Sequence, residues 1–410
     1  MTTATHMNRL ALSARTLAFV ALLGMATAAQ AKVYLELRPR ASLVAGVDDN
    51  VLLDGSGADG FGQATPGLKL DLYGDHQLRA NLDCQVGLAR VLHPDQFRLS
   101  SGSFAANESC LFQARDHLSA RTSTRWQGRV TYAQDPFALS GLGLLLRPGQ
   151  SQIFVARLDG EFSHAATREG QVVTGFNSQA LHFAANDPGN GYFAAPYVRY
   201  AVRTSSRTTL DLGVREQLFL GAGSVKDPAA PAGSPLAKDF EGGLLDEGHA
   251  VLAGWQYRLT QYATALVRGG PMLVTGRRGQ IFVPTGTLQI EAATPTSAVH
   301  VTVGHDLVSG ASQAGALIGD IAEFSALGEL GSFGAHFRAG VYRNADLFAQ
   351  ATLGSVGYGT ELSVDYRLGR EWKLGVAALR DARLSDVNVG RNVDRDVVQV
   401  RLIWERARVP

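Results

Sequence analysis

Past residue 31, no stretch of this 410-residue chain approaches the roughly 18 consecutive apolar residues that a membrane-spanning helix needs. Cysteine is almost absent, with Cys84 and Cys110 alone, so neither a disulfide scaffold nor a thiolate metal knuckle can organise the fold. Charge is scarce as well: 18% of residues are charged, with 38 Lys and Arg against 37 Asp and Glu. Residues 1–31 carry two of those arginines and no acid, so the remainder is close to neutral and has no nucleic-acid footprint. Catalytic signatures are missing too, because there is no G-x-S-x-G elbow, H-E-x-x-H, P-loop or C-x-x-C. Gly141-Leu142-Gly143 lacks the strand-to-helix context of a dinucleotide site. His300, His305 and Asp306 are close in sequence, but a spacing of five on a strand sends the two imidazoles to opposite faces. No enzyme, cofactor or metal site is expected.

What is present begins with an export signal. Arg9 and Arg15 precede an apolar run from Leu17 to Leu23 and the small-residue exit Ala29-Gln30-Ala31, so residues 1–31 are expected to be cleaved and residues 32–410 to form one domain. A hydrophobic fraction of 45% with 46 glycines suits a globular enzyme or a barrel equally.

Periodicity separates the two. Leu78, Ala80, Leu82, Cys84, Val86 and Leu88 alternate with Gln77, Arg79, Asn81, Asp83 and Gln85, a period of two that gives a strand one apolar face. The pattern recurs in Leu118 to Tyr132, where Thr122, Thr124 and Trp126 alternate with Arg121, Ser123 and Arg125, from Val356 to Tyr366, and at Val398, Val400, Leu402 and Trp404. Read along the chain, it predicts strands near 33–45, 65–73, 77–91, 107–115, 118–134, 151–163, 169–184, 192–203, 207–220, 248–259, 262–274, 281–292, 296–308, 316–326, 330–342, 353–366, 371–384 and 395–405. That is eighteen strands, or sixteen if a weak segment such as 316–326 merges with a neighbour.

The connections alternate between short turns and longer Gly, Asp and Ser-rich loops. Short turns are expected at Gly74-Asp75-His76, Asp116-His117, Thr204-Ser205-Ser206, Thr260-Gln261 and Leu368-Gly369-Arg370, and long loops near 46–64, 92–106, 135–150, 221–247 and 385–394. This sorting predicts an all-β fold: a closed, up-and-down, antiparallel transmembrane β-barrel in the bacterial outer membrane, with periplasmic turns and termini. Tyr200, Tyr257 and Tyr366 precede turns, and with Tyr262, Trp372 and Trp404 they form an expected aromatic girdle.

Eighteen strands enclose room for water, so the inward face carries the informative chemistry. On this register it holds Arg79, Arg121, Arg125, Arg129, Arg199, Arg203, Arg215, Arg258, Arg338, Arg367 and Arg401, against Asp83, Asp211, Glu291, Glu361 and Asp365. These charges either pair across strands and stiffen the wall, or the surplus guanidinium lines a path for anionic or hydroxyl-rich cargo. Cys84 and Cys110 fall on neighbouring strands facing lipid, where they are either a cross-strand disulfide or two small apolar side chains.

The segment from Arg38-Pro39-Arg40-Ala41-Ser42-Leu43 through Gly46-Val47-Asp48-Asp49-Asn50, followed by Thr65-Pro66-Gly67-Leu68, resembles the opening hairpin of outer-membrane β-barrels associated with bacterial exopolysaccharide secretion. The resemblance covers about a tenth of the chain and departs from the common pattern at its end, which runs past Trp404 to Pro410 instead of closing on an aromatic residue. It implies an outer-membrane pore exporting a secreted or surface polysaccharide, with outer-membrane lipid, the polysaccharide cargo and a periplasmic polysaccharide export protein as partners. A general or solute-specific diffusion porin is the alternative, with residues 221–248 as the candidate constriction. A plugged barrel serving as an enzyme or anchor is the third reading.

Overall fold

A computed structural model describes residues 33–49, 58–74, 77–92, 105–133, 153–182, 190–221, 243–276, 279–308, 316–347, 354–385 and 393–406. The expected signal segment and most of the expected long loops, including the greater part of 221–248, lie outside the described residues.

Eighteen antiparallel strands follow one another: β1 (Val33–Asp48), β2 (Asp59–Gly74), β3 (Arg79–Val91), β4 (Ala105–Ser119), β5 (Thr122–Ala133), β6 (Ile153–Ala165), β7 (Gly170–His182), β8 (Gly191–Arg203) and β9 (Thr208–Gly221). The second half comprises β10 (Gly243–Arg258), β11 (Ala263–Gly276), β12 (Gly279–Ala293), β13 (Ser297–Val308), β14 (Leu317–Leu330), β15 (Phe333–Asp346), β16 (Gly354–Arg367), β17 (Trp372–Ser385) and β18 (Val393–Glu405). Each pairs with its sequence neighbour, and β1 pairs with β18 from Arg40↔Glu405 to Asp48↔Val397, which closes the ring. Closure leaves no free edge along most of the wall, the condition for a sheet to sit in lipid.

The short turns all lie at one end of the barrel, together with Val33 and Arg406. Two-residue connections there depend on local chemistry: Gly331, with φ of 61°, makes the β14–β15 turn in a region that side chains disfavour. In the turn after β12, the Thr294 hydroxyl accepts from the Ser297 amide at 3.0 Å. One expected turn is displaced. β4 runs through Asp116 and His117 to Ser119, and the chain reverses at Ala120-Arg121. Asp116 and His117 are polar enough to turn, but their backbones stay paired with Thr124 and Ser123.

The two faces differ sharply. On β1, the outward Leu35, Leu37, Leu43 and Val47 are exposed, whereas Arg38 and Arg40 point inward among acids and amides. Followed through the register, every Asp, Glu, Lys, Arg and His of the outer face among the described residues falls near one end or the other. Asp116 and His164 lie near the short turns. Arg90, Glu108, His182, Glu216, Glu247, His249, His305, Asp320, Arg343, Arg380, Asp394 and Asp396 lie from about eight to twelve residues away from them. Each residue advances a tilted strand by about 2.5 Å along the barrel axis, so the uncharged band between is about 20–25 Å tall, matching the hydrocarbon layer a barrel spans. Tyr200, Tyr257, Tyr366, Trp372 and Trp404 sit at its lower margin on the outer face, with Tyr262 in the turn below. Trp372 and Trp404 approach each other at 6.5 Å, and Trp255 stacks on Tyr257 at 5.5 Å.

Cys84 and Cys110 face each other across β3 and β4 with Cα atoms 4.1 Å apart and are joined as a disulfide on the outer face.

Candidate functional site: the barrel lumen

The inner face carries two populations of arginine. The first is neutralised. Arg38 contacts Asp71, Arg40 contacts Asp83, Arg199 reaches Glu161 at 3.1 Å, Arg338 reaches Glu323 at 2.7 Å, and Arg401 binds Asp365 at 2.9 Å. Arg268 grips the buried Asp211 with two hydrogen bonds of 3.0 Å, and Arg395 holds Asp48 through both Nε, at 2.8 Å, and Nη2. Planar guanidinium suits such two-point contacts. These pairs brace the wall from strand to strand.

The second population is not neutralised. Arg79 on β3, Arg115 on β4 and Arg125 on β5 are directly opposite one another in consecutive ladders, and all three are exposed to the lumen. Arg129 lies further along β5, opposite Arg157 on β6. Among the described residues, Arg79, Arg115, Arg125 and Arg129 have no carboxylate partner, and Asn81, Gln113 and Gln127 fill the row between the two arginine levels. The inward arginines thus divide into those paired across strands and those without an ion pair among the described residues.

The register puts Arg79, Asp83, Arg125, Arg129, Arg199, Arg203, Arg215, Arg258, Arg338, Glu361, Arg367 and Arg401 on the inner face. Arg203, Arg258 and Arg367 end their strands at the short-turn rim. Arg121 does not join them: it is a residue of the β4–β5 turn, outside the lumen. Arg115 escaped the sequence reading because placing a turn at Asp116-His117 made it a strand end rather than part of a row. His300 faces inward beside Glu291, at 3.4 Å, and His305 faces outward against Asp320, at 2.5 Å, the opposite orientations expected from their spacing.

The lumen is also narrowed from the loop end. The β12–β13 ladder stops at Gly286↔His305, while β12 continues to Gly279 paired only with β11. Above that point β13, β14 and β15 stay together but lean inside the wall. Asp306 on β13 accepts from Arg215 on β9 at 2.8 Å, from Gln217 at 3.3 Å and from Thr285 on β12 at 3.1 Å. The amide of Ala316, just before β14, donates to Asp246 on β10 at 2.7 Å. Leu307 and Ile318, an outward-facing pair by register, are turned against the inner face of β10–β12. There they join Phe219, Ala250, Met272, Val274, Val283, Ala316 and Leu347 in a buried apolar cluster. Gly248 makes room for this: a Cβ there would stand 3.0 Å from the Leu307 Cδ1 atom.

Closed wall, apolar waist and polar interior define a transmembrane β-barrel of the outer-membrane class. Among solved structures the chain is similar to OccK2 (OpdF) of Pseudomonas aeruginosa in complex with glucuronate, at a TM-score of 0.44 and 11% identity over 92% of this chain and 98% of that one. It is similar also to OccK5 (OpdH) of the same organism, at 0.42 and 9% over 92% and 98%, and to its outer-membrane protein OpdK, at 0.41 and 10% over 90% and 98%. No family model and no curated protein matches the sequence.

Proposed function

We propose that this barrel is a diffusion channel of the bacterial outer membrane, with its short turns and termini in the periplasm, that favours small hydrophilic anions. The observation that carries the reading is the row Arg79, Arg115 and Arg125 with Arg129 beyond it: cations facing the lumen that form no ion pair among the described residues, the carboxylate directly across from Arg125, Glu161, being held by Arg199. A guanidinium cannot lose its proton at working pH, so the row presents permanent charge and planar donors to carboxylate or phosphate groups passing along it. Elsewhere the wall is braced by internal ion pairs such as Arg268–Asp211, Arg338–Glu323 and Arg401–Asp365.

Export of a polysaccharide rests on the β1–β2 hairpin residues alone. The inward lean of β13–β15 argues for small solutes, because it narrows the mouth that a polymer would have to thread. Proteoliposome swelling separates the readings: rates in gluconate should exceed those in a cationic solute of similar size. Equal rates would remove the anion preference. Loss of surface polysaccharide in a deletion strain that still expresses its synthesis genes would restore the export reading and, with it, a periplasmic export partner.

A further inference from the structure

We propose that the overlap between β12 and β13 is a lateral doorway, through which a small apolar or amphipathic solute passes between the lumen and the outer leaflet of the membrane. This goes beyond the aqueous path described above and uses only its orientation.

Three observations converge there. The first is the broken ladder: Gly279–Thr285 on β12 and Asp306–Val308 on β13 have no rungs between them, so among the described residues side chains alone seal this part of the wall. Parting a side-chain seam does not require breaking a run of backbone hydrogen bonds, whereas opening any neighbouring pair of strands does. The second lies inside. On the inner face beside the seam, Met272, Val274, Val283 and Leu307 are almost fully buried against one another and form a continuous apolar patch. The third lies outside. At the height where β9, β10, β13, β14 and β15 carry Glu216, His249, His305, Asp320 and Arg343, the intervening β11 and β12 present Pro271, Leu273, Phe282 and Pro284. Phe282 is 75% exposed. An apolar strip thus runs from the outer surface, across the seam, to the inner wall.

In the structure the strip is shut, with the outer face of β13–β14 packed on the inner face of β10–β12. What holds the flap across the seam is the contact of Asp306 with Arg215, Gln217 and Thr285, the Ala316–Asp246 hydrogen bond and the cluster itself. An apolar solute can replace the cluster's contacts as the flap moves, so the hydrophobic term is exchanged and not lost. A hydrophilic solute cannot make that exchange.

The test staples the overlap with Gly248→Cys and Leu307→Cys and follows N-phenyl-1-naphthylamine uptake by intact cells lacking their own copy of the gene. Cells with the natural barrel should take up the dye several-fold faster than cells with none. The oxidised double variant, its bond confirmed by gel mobility, should fall to the barrel-free rate and recover on reduction, while ion selectivity in planar bilayers, set by the distant row on β3–β5, stays the same in both states. A second variant, Phe282→Asp, places charge on the exposed threshold and should slow the dye without altering conductance. Uptake no faster with the natural barrel than without it, or equal in stapled and reduced variants, would overturn the doorway. So would a Phe282→Asp barrel that changes oligomeric state but not uptake, since the outer patch would then seat a second copy of the chain.

Discussion

Arg215 and Asp306 meet at 2.8 Å although three strands stand between β9 and β13 in the sheet. Two residues of a barrel wall so placed touch only if one of their strands has left the wall. The pair therefore marks where the upper ends of β13–β15 cross into the lumen, and its 91-residue separation explains why no local pattern announces it.

Asp306→Asn keeps the volume and removes the charge that Arg215 and Gln217 both address. The flap should loosen and mean single-channel conductance should rise, with a cost of about 1–2 kcal/mol in stability because both partners are partly solvated. Bilayer recordings of the variant check this, and unchanged conductance would mean that the crossing does not narrow the path.

Cys84 and Cys110 close a segment of 26 residues on the lipid face of β3 and β4. Replacing both by Ser removes a cross-link that constrains the unfolded chain by about 3 kcal/mol in the loop-entropy picture. The variant should lose its folded gel mobility at a lower temperature in detergent, while ion selectivity stays the same because neither side chain faces the lumen.

Val376 lies four residues above Trp372 on the outer face, near the middle of the uncharged band. Val376→Arg should cost about 2–4 kcal/mol and lower the yield of membrane-inserted protein. Val376→Leu should be neutral. Glu216→Ala, at the upper margin of the band, should change little. An arginine at 376 tolerated as well as leucine would contradict the assignment of this face to lipid.

The architecture was legible in the sequence because a barrel repeats one rule: apolar out, polar in, with turns and loops alternating. Leu78 to Leu88 and Val356 to Tyr366 show that rule in residues alone. The lapses have physical causes. Asp116 and His117 look like turn residues, yet Ala120-Arg121 makes the turn, since hairpin position is set by pairing along β4 and β5 and not by two polar side chains. That shift of a few residues moved Arg121 out of the lumen and hid Arg115. Which arginines are neutralised was not legible either, because Arg268–Asp211 and Arg401–Asp365 are separated by 57 and 36 residues and depend on register across whole strands.

The row on β3–β5 should make the channel prefer anions. In a water-filled lumen, a fixed charge roughly 10 Å from a passing ion contributes about 0.4 kcal/mol, so three act together with about 1.2 kcal/mol, less as salt rises. The most direct measurement is the reversal potential in planar bilayers across a potassium chloride gradient at low salt, for the natural protein and for Arg79→Ser/Arg115→Ser/Arg125→Ser. The natural channel should give a potential of anion-selective sign that shifts toward zero in the triple variant, with the permeability ratio falling by up to about sixtyfold, because the row attracts the anion and repels the cation by the same amount. A cation-selective natural channel, or a triple variant with the same reversal potential, would contradict it.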